Sequence, residues 1–240
     1  MNRLLLTDAE IDVDGVVSVD GNRAAHICGV LKLGCGDTLR VGLINGATGM
    51  AEILRVGNNS VELRCVFDGV IPSLPSIDLL LALPRPKVMK RLWAPLASMG
   101  VGRIILTNAA KVERNYFDTH WLQPSKYNPL LREGLEQSGD THMPQVDIKR
   151  RLKPFVEDEL DNEFPESQRI LFHPRNAMNV SELKAQETSR VLIAVGPEGG
   201  WTDYELEMFE KQGFHCVSMG WRVLRTDTAC IALMALMQEK

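Results

Sequence analysis

Residues 195–207, VGPEGGWTDYELE, and 218–229, SMGWRVLRTDTA, decide the reading of this chain. Each Gly-rich turn follows an apolar run and opens a helical pattern. A helix start presents N–H groups without intrahelical partners, and glycine lets another molecule approach the main chain closely. Two such turns close together make a backbone cradle for an adenosine or phosphate-bearing ligand. The other reading is a pair of ordinary strand-to-helix turns. Part of the first turn has structural work in either case. Thr202 and Glu205 form a T-x-x-E capping box, in which each side chain satisfies a main-chain donor.

Outward from these turns, short apolar runs at 79–83, 103–107, 169–173 and 191–195 alternate with helical patterns at 87–99, 125–138, 202–212 and 227–238. That order predicts an α/β domain with helices covering a mainly parallel sheet. The last helical segment, TACIALMALM at 228–237, is apolar on nearly every face. It must be enclosed by the sheet, a neighbouring helix or a second subunit. Before residue 70 the pattern changes to short alternating runs, DTLRVGL and VELRCVF, divided by Gly, Asn and Asp, as in a small β-barrel with little helix. The Pro- and Ser-rich VIPSLPS places a boundary near Ser73 to Ser76. The expected domains are therefore a β-barrel over 1–72 and an α/β domain over 73–240.

With 45% hydrophobic residues in 240, the chain can bury one large core or two moderate ones. A net charge of −4 argues against a nonspecific polyanion binder, so any nucleic-acid contact must rest on local patches. Two exist: RPKVMKR, with Arg85, Lys87, Lys90 and Arg91, and KRRLK, with Lys149, Arg150, Arg151 and Lys153. Solvated faces look the same. Cys28, Cys35, Cys65, Cys216 and Cys230 are widely spaced with no C-x-x-C pair, so neither a disulfide framework nor a metal site is expected. MNRLLLTDAEIDVDG is too acidic and its apolar run too short for a secretory signal, and no run is long enough to span a bilayer. A cytoplasmic protein is expected. There is no G-x-x-x-x-G-K-[ST], G-x-S-x-G, H-E-x-x-H or post-strand G-x-G-x-x-G, so ATPase, α/β-hydrolase, zincin and Rossmann readings lose their best support.

VGPEGGWTDYELE followed by MGWRVLRTDTA resembles the C-terminal signature of RsmE-type ribosomal RNA uridine N3-methyltransferases, members of the SPOUT superfamily. HICGVLKLGCGDTLRV at 26–41 is similar to that family's N-terminal barrel, and EGLEQSGDTHMPQV at 133–146 to its central helix end. The resemblance implies a PUA-like RNA-recognition barrel, an α/β methyltransferase domain with a C-terminal trefoil knot, and a homodimer. It further implies S-adenosylmethionine as cofactor and N3 of a uridine in small-subunit (16S) ribosomal RNA as target. Carried onto this sequence, it assigns Gly196, Glu198, Gly199 and Gly200 to one cofactor loop. Met219, Gly220, Arg222, Val223 and Leu224, with Thr228 and Ala229, make another, and LFHPRN around Phe172 and His173 supplies a third. The sequence departs from the family at PLASMGV, 95–101, and at Asp140, where a basic residue is usual. Those departures leave open a SPOUT enzyme with another RNA target. A noncatalytic RNA-binding or assembly factor also remains open, because no general base is obvious.

Uracil N3 becomes a good nucleophile only as its proton leaves and negative charge spreads onto the flanking carbonyl oxygens. Arg225, permanently cationic, is suited to stabilise that charge; its bland alternative is an ion pair with Asp227 or Glu198. Glu198 is the nearest carboxylate by motif and a candidate base, or else a brace for the glycine loop. Thr226 and Thr228 read first as helix caps and His26 as structural. Trp201 and Trp221 suit either core packing or stacking on a base. Arg3, Arg23 and Lys32 in the barrel, with Arg85 and Lys87 beyond it, are electrostatic candidates for RNA phosphates.

Overall fold

The computed structural model describes residues 2–174, 178–183 and 190–238. The chain divides into two compact units, Met1–Leu74 with Leu135–Met143, and Pro75–Gly134 with Pro144–Lys240. Alternation builds the first unit. Strands β1 (Leu4–Leu6), β2 (Val16–Asp20), β3 (Thr38–Leu43), β4 (Thr48–Val56) and β5 (Ser60–Val66) form a five-stranded sheet in the order β1-β3-β4-β5-β2. The β1–β3 ladder is parallel and the others antiparallel. Every second residue of β5, namely Val61, Leu63 and Cys65, is buried, as period-two patterning requires. One short helix, α1 (Gly21–Ala25), runs into a π turn at His26–Val30, and its Ala24 and the turn's Ile27 join the same core as Val17 and Val19.

The segment Leu135–Met143, which local patterning assigned to the other domain, is held within this unit by backbone groups. Asn45 N–H donates to the Thr141 carbonyl at 2.7 Å, the Thr141 hydroxyl to the Gly46 carbonyl at 2.8 Å, and Met143 N–H to Asn45 Oδ1 at 2.8 Å. Asp140 has local work here: its Oδ1 accepts from the N–H groups of Thr141 at 2.6 Å and His142 at 3.1 Å.

The second unit contains β6 (Ile77–Ala82), α2 (Pro86–Ser98), β7 (Val101–Thr107), α3 (Pro124–Ser138, its last turn counted with the first unit), β8 (Gln145–Lys149), α4 (Leu152–Pro154) and α5 (Leu160–Glu163). It continues with β9 (Gln168–Phe172), β10 (Met178–Asn179), β11 (Val191–Val195), α6 (Asp203–Lys211), β12 (His215–Ser218) and α7 (Thr226–Gln238). The strands make a seven-stranded sheet, β10-β12-β9-β11-β6-β7-β8, parallel in every described ladder. β6 is buried at all positions, the signature of a central strand covered on both faces. Segment 95–101, where the sequence departs from the family, is the end of α2, a left-handed turn at Gly100 (φ 71°) and the first residue of β7. Gly134 of α3 lets that helix meet α2 closely: a Cβ there would stand 2.1 Å from the Ala94 carbonyl oxygen. The apolar α7 packs on β6, β11 and α2.

One ion-pair network braces the β7–β8 side of the sheet. Arg103 reaches Asp147 at 2.5 Å and also Glu163, while Lys149 reaches Glu159 and Glu163 at 2.6 Å each. The first cation of the KRRLK patch is thus neutralised. Burial works against the charged form of Glu163, but hydrogen bonds from Lys149 and Arg103 outweigh it and hold the carboxyl below its ordinary value of 4.5. A depressed carboxylate stabilises the fold above its unfolded value and loses that contribution as pH falls through the folded one. Glu163→Gln is therefore expected to cost about 2 kcal/mol at pH 7. In urea melts followed against pH, that difference should shrink as pH falls through the folded-state value of this carboxyl, below its ordinary 4.5.

Candidate cofactor and active site

In a parallel sheet the carboxyl ends of all strands share one edge. Ligands gather there where neighbouring connections leave in opposite directions. β11 and β6 are such a pair: β6 leads to β7 on one side, and β11 leads to β12 on the other. At this edge lies a cavity of about 820 Å³. Both glycine turns reach it. Gly196, Glu198, Gly199 and Gly200 line it from the first, Val223, Leu224 and Arg225 from the second, with Ala229 from α7 and Phe172 and His173 from the end of β9. Met219, Gly220, Arg222 and Thr228 are not on its wall. Of LFHPRN, Arg175 and Asn176 lie outside the described residues.

The first turn is held from several directions. Thr202 and Glu205 form the expected capping box, with Thr202 N–H donating to Glu205 Oε2 at 2.8 Å and Glu205 N–H to Thr202 Oγ1 at 3.3 Å. The other oxygen of Glu205, which is only 5% exposed, accepts from Ala110 N–H at 2.7 Å. Lys111 donates its ammonium to the Gly199 carbonyl at 2.9 Å and lines the cavity. A Cβ at Gly196 would stand 3.2 Å from the buried Trp201 ring, a tight contact that the ring would have to relieve by a few tenths of an ångström. Trp201 itself packs edge-on to Phe209, centroids 4.9 Å apart, so it is a core residue bordering the cavity.

The second turn is tied to the first by Thr226, whose buried hydroxyl donates to the Gly196 carbonyl at 3.4 Å. That contact, rather than capping, is its work here; the exposed Thr228 has its N–H capped by Asp227 Oδ1 at 3.0 Å. Arg225 is exposed on the wall, immediately before α7. Both of its candidate partners are engaged elsewhere. Asp227 pairs with Arg91 at 3.0 Å, and Glu198 Oε1 accepts from Arg85 N–H at 3.1 Å. Among the described residues nothing holds the Arg225 guanidinium. Glu198 therefore braces its loop against the chain leaving β6.

Three carboxylates, Glu198, Asp203 and Glu210, stand on the wall. With Lys111 and Arg225 on the same wall the excess is a single negative charge, which tilts the site towards a cationic ligand over a phosphate-rich one. Asp203, Glu210 and Lys111 escaped the sequence reading. Only the position of Lys111, just beyond the apolar run at 103–107, hinted at it.

The remaining candidates are not among the residues that line the cavity. Arg23 pairs with Glu10 at 2.6 Å. Arg3 donates to the Gly139 carbonyl, and burial and Arg40 lower its pKa. Lys32 is exposed in a left-handed conformation (φ 57°), and Arg85 and Lys87 are exposed at the start of α2. Trp221 is 81% exposed with the Arg222 guanidinium 4.4 Å from its ring centre, so it is not a core residue. His26 opens the π turn in the first unit. All five cysteines are free, and among the described residues no cluster of His, Cys, Asp and Glu is placed to hold a metal and no helix is long and apolar enough to cross a membrane.

Residues 72–238 match the RNA methyltransferase domain family. The chain is 31% identical over 242 residues to ribosomal RNA small subunit methyltransferase E of Treponema pallidum, covering 98% of this chain and 90% of that protein. It is 26% identical over 241 residues to methyltransferase E 1 of Borreliella burgdorferi, with 100% and 98% covered. Its fold is shared with a Legionella pneumophila methyltransferase solved with bound SAM, at a TM-score of 0.79, 23% identity and coverage of 99% and 97%. The ribosomal RNA small subunit methyltransferase E of Neisseria gonorrhoeae, bound to S-adenosyl methionine, aligns at a TM-score of 0.77 with 22% identity and coverage of 100% and 97%. With more than two thirds of its length matched by that family and 98% of it by the Treponema protein, this chain belongs to the RNA methyltransferase family.

Proposed function

We propose that the protein transfers the methyl group of S-adenosylmethionine to N3 of a uridine in small-subunit ribosomal RNA. The observation that carries this reading is the convergence of both glycine turns and the β9 end on one cavity with an acid-rich wall. The cofactor, when bound, supplies an electrophilic methyl on a cationic sulfonium. The residues present fit it: Gly196, Gly199 and Gly200 bring backbone to the cavity, Phe172, Val195, Leu206 and Leu224 give apolar surface for adenine, and the carboxylates suit the positive charge.

Catalysis is then mainly alignment of donor and acceptor. Arg225 faces the cavity without a competing partner and is the group we assign to the charge that develops on the uracil oxygens. With Glu198 bound to the Arg85 main chain, proton removal falls to water or hydroxide. The 196–202 and 219–225 segments belong, in this reading, to a trefoil knot. The first unit is a PUA-like barrel that recognises RNA, with Lys32 available to phosphate. A homodimer would cover the apolar residues that α7 leaves accessible, including Leu236, 37% exposed. A cytoplasmic setting fits five reduced thiols.

The test is methyl transfer from labelled S-adenosylmethionine to small ribosomal subunits lacking the modification, followed by mass mapping. Label at N3 of one uridine supports the reading; label at another atom or base refutes the assigned target.

A further inference from the structure

A second cavity, of about 370 Å³, opens at the same edge of the sheet, at the ends of β7 and β8. Its walls combine apolar surface from Ala109, Val112, Leu152 and Met208 with four groups able to recognise a nucleotide: Asn108, Arg114, Lys153 and Tyr204. Asn108 Oδ1 is buried and has no partner among the described residues. Such an oxygen accepts a donor from ordered water or from a ligand that enters the cavity. Tyr204 is 56% exposed, with the Lys153 ammonium 5.8 Å from its ring centre. Besides Tyr204, Lys153 meets Glu157 at 3.8 Å, and Arg114 is exposed with no ion pair among the described residues. Lys149 of the KRRLK patch is spent on Glu159 and Glu163, whereas Lys153 stands at this cavity.

The two cavities share walls. Around the start of α6, Trp201, Asp203 and Leu206 face the first cavity while Thr202, Tyr204 and Glu205 face the second. Across from them, Lys111 faces the first and Ala110 and Val112 the second. Neighbouring cavities of this kind suit a target base and the nucleotide beside it. An enzyme acting on a base must take it out of its stack, which also frees its neighbour.

We infer that this second cavity is the subsite for an unstacked nucleotide next to the target uridine. Its base lies on Tyr204 and is read by the Asn108 amide, and its phosphate is met by Arg114 and Lys153. The inference rests on the function proposed above. Stacking on aromatic rings and arginine is how proteins hold splayed RNA bases, and a cavity near the lower end of the range of roughly 300–1,000 Å³ for ligand sites suits one nucleotide.

The test measures kcat and KM on small ribosomal subunits, cofactor affinity by calorimetry and thermal melting for wild type, Tyr204→Ala, Tyr204→Phe, Arg114→Ala and Lys153→Ala. Tyr204→Ala should raise KM about tenfold while Tyr204→Phe stays near wild type. Arg114→Ala and Lys153→Ala should each reduce the dependence of log KM on log salt by about one phosphate contact. Cofactor affinity, kcat and melting temperature should hold in all four. Active wild type with unchanged KM and salt dependence in the alanine variants overturns the subsite and leaves the function standing. Weakened cofactor binding in step with KM overturns it too, because the groups would then belong to the first cavity. Wild type without transfer to subunits overturns both readings.

Discussion

Arg225→Ala is expected to lower kcat by about 100- to 1,000-fold, the usual effect of removing one donor from a developing oxyanion. The affinity for S-adenosylmethionine should change by no more than about threefold. The split follows from the surroundings of the guanidinium. If Arg225 had been a structural cation, Asp227 or Glu198 would hold it; Arg91 occupies the first and the Arg85 main chain the second. Arg225→Lys keeps the charge but loses the planar fork, so its kcat should fall between wild type and alanine. Single-turnover transfer to ribosomal subunits, measured beside calorimetric cofactor binding, separates the two quantities. Equal losses in both would return Arg225 to a structural role.

Glu205→Ala is expected to destabilise the protein by about 3 kcal/mol, because it strips a buried carboxylate from several hydrogen-bond donors at once. Ala110 N–H, Thr202 N–H and the Thr202 hydroxyl all donate to Glu205, and these join the chain after β7 to the turn after β11. Glu205 itself lines the second cavity, and the turn it holds carries Trp201 and Asp203 of the first. Urea melts should show the loss of stability, and calorimetry a cofactor affinity at least tenfold weaker. Glu205→Gln keeps one acceptor but turns its NH2 towards a backbone N–H donor, so it should recover only part of the stability. A Glu205→Ala protein as stable as wild type would show that the capping box is incidental.

Much of the second unit was legible because its elements obey local rules. The patterns at 87–99, 125–138, 202–212 and 227–238 are α2, α3, α6 and α7 to within a residue at each end, and the apolar runs became β6, β7, β9 and β11. β8 and β12 were not read. QVDIK is half-exposed at the sheet edge and alternates too weakly to stand out, and HCVS is only four residues long. The helical stretch from Leu152 to Glu163 was missed as well: it is broken by a π turn at Phe155–Glu159, so its apolar residues keep no single period. Placement of 135–143 in the first unit depends on bonds such as Asn45 to Thr141, between residues far apart in sequence, which no local window contains.

At the site the same division holds. The glycine turns announced themselves through composition and the capping box. Lys111 did not, because its partner Gly199 is 88 positions away. The roles of Arg225 and Glu198 could not be separated from sequence, since each had the other as a plausible partner. The contacts of Asp227 with Arg91 and of Glu198 with the Arg85 amide are what favour Arg225 in the function proposed above.

The most direct test of the account is a calorimetric titration of the purified protein with S-adenosylhomocysteine, the product of methyl transfer. The cavity between the glycine turns predicts saturable binding at one site per chain, displaced by S-adenosylmethionine. No heat of binding and no competition up to about 1 mM, where binding free energy has fallen to about −4 kcal/mol, would contradict it.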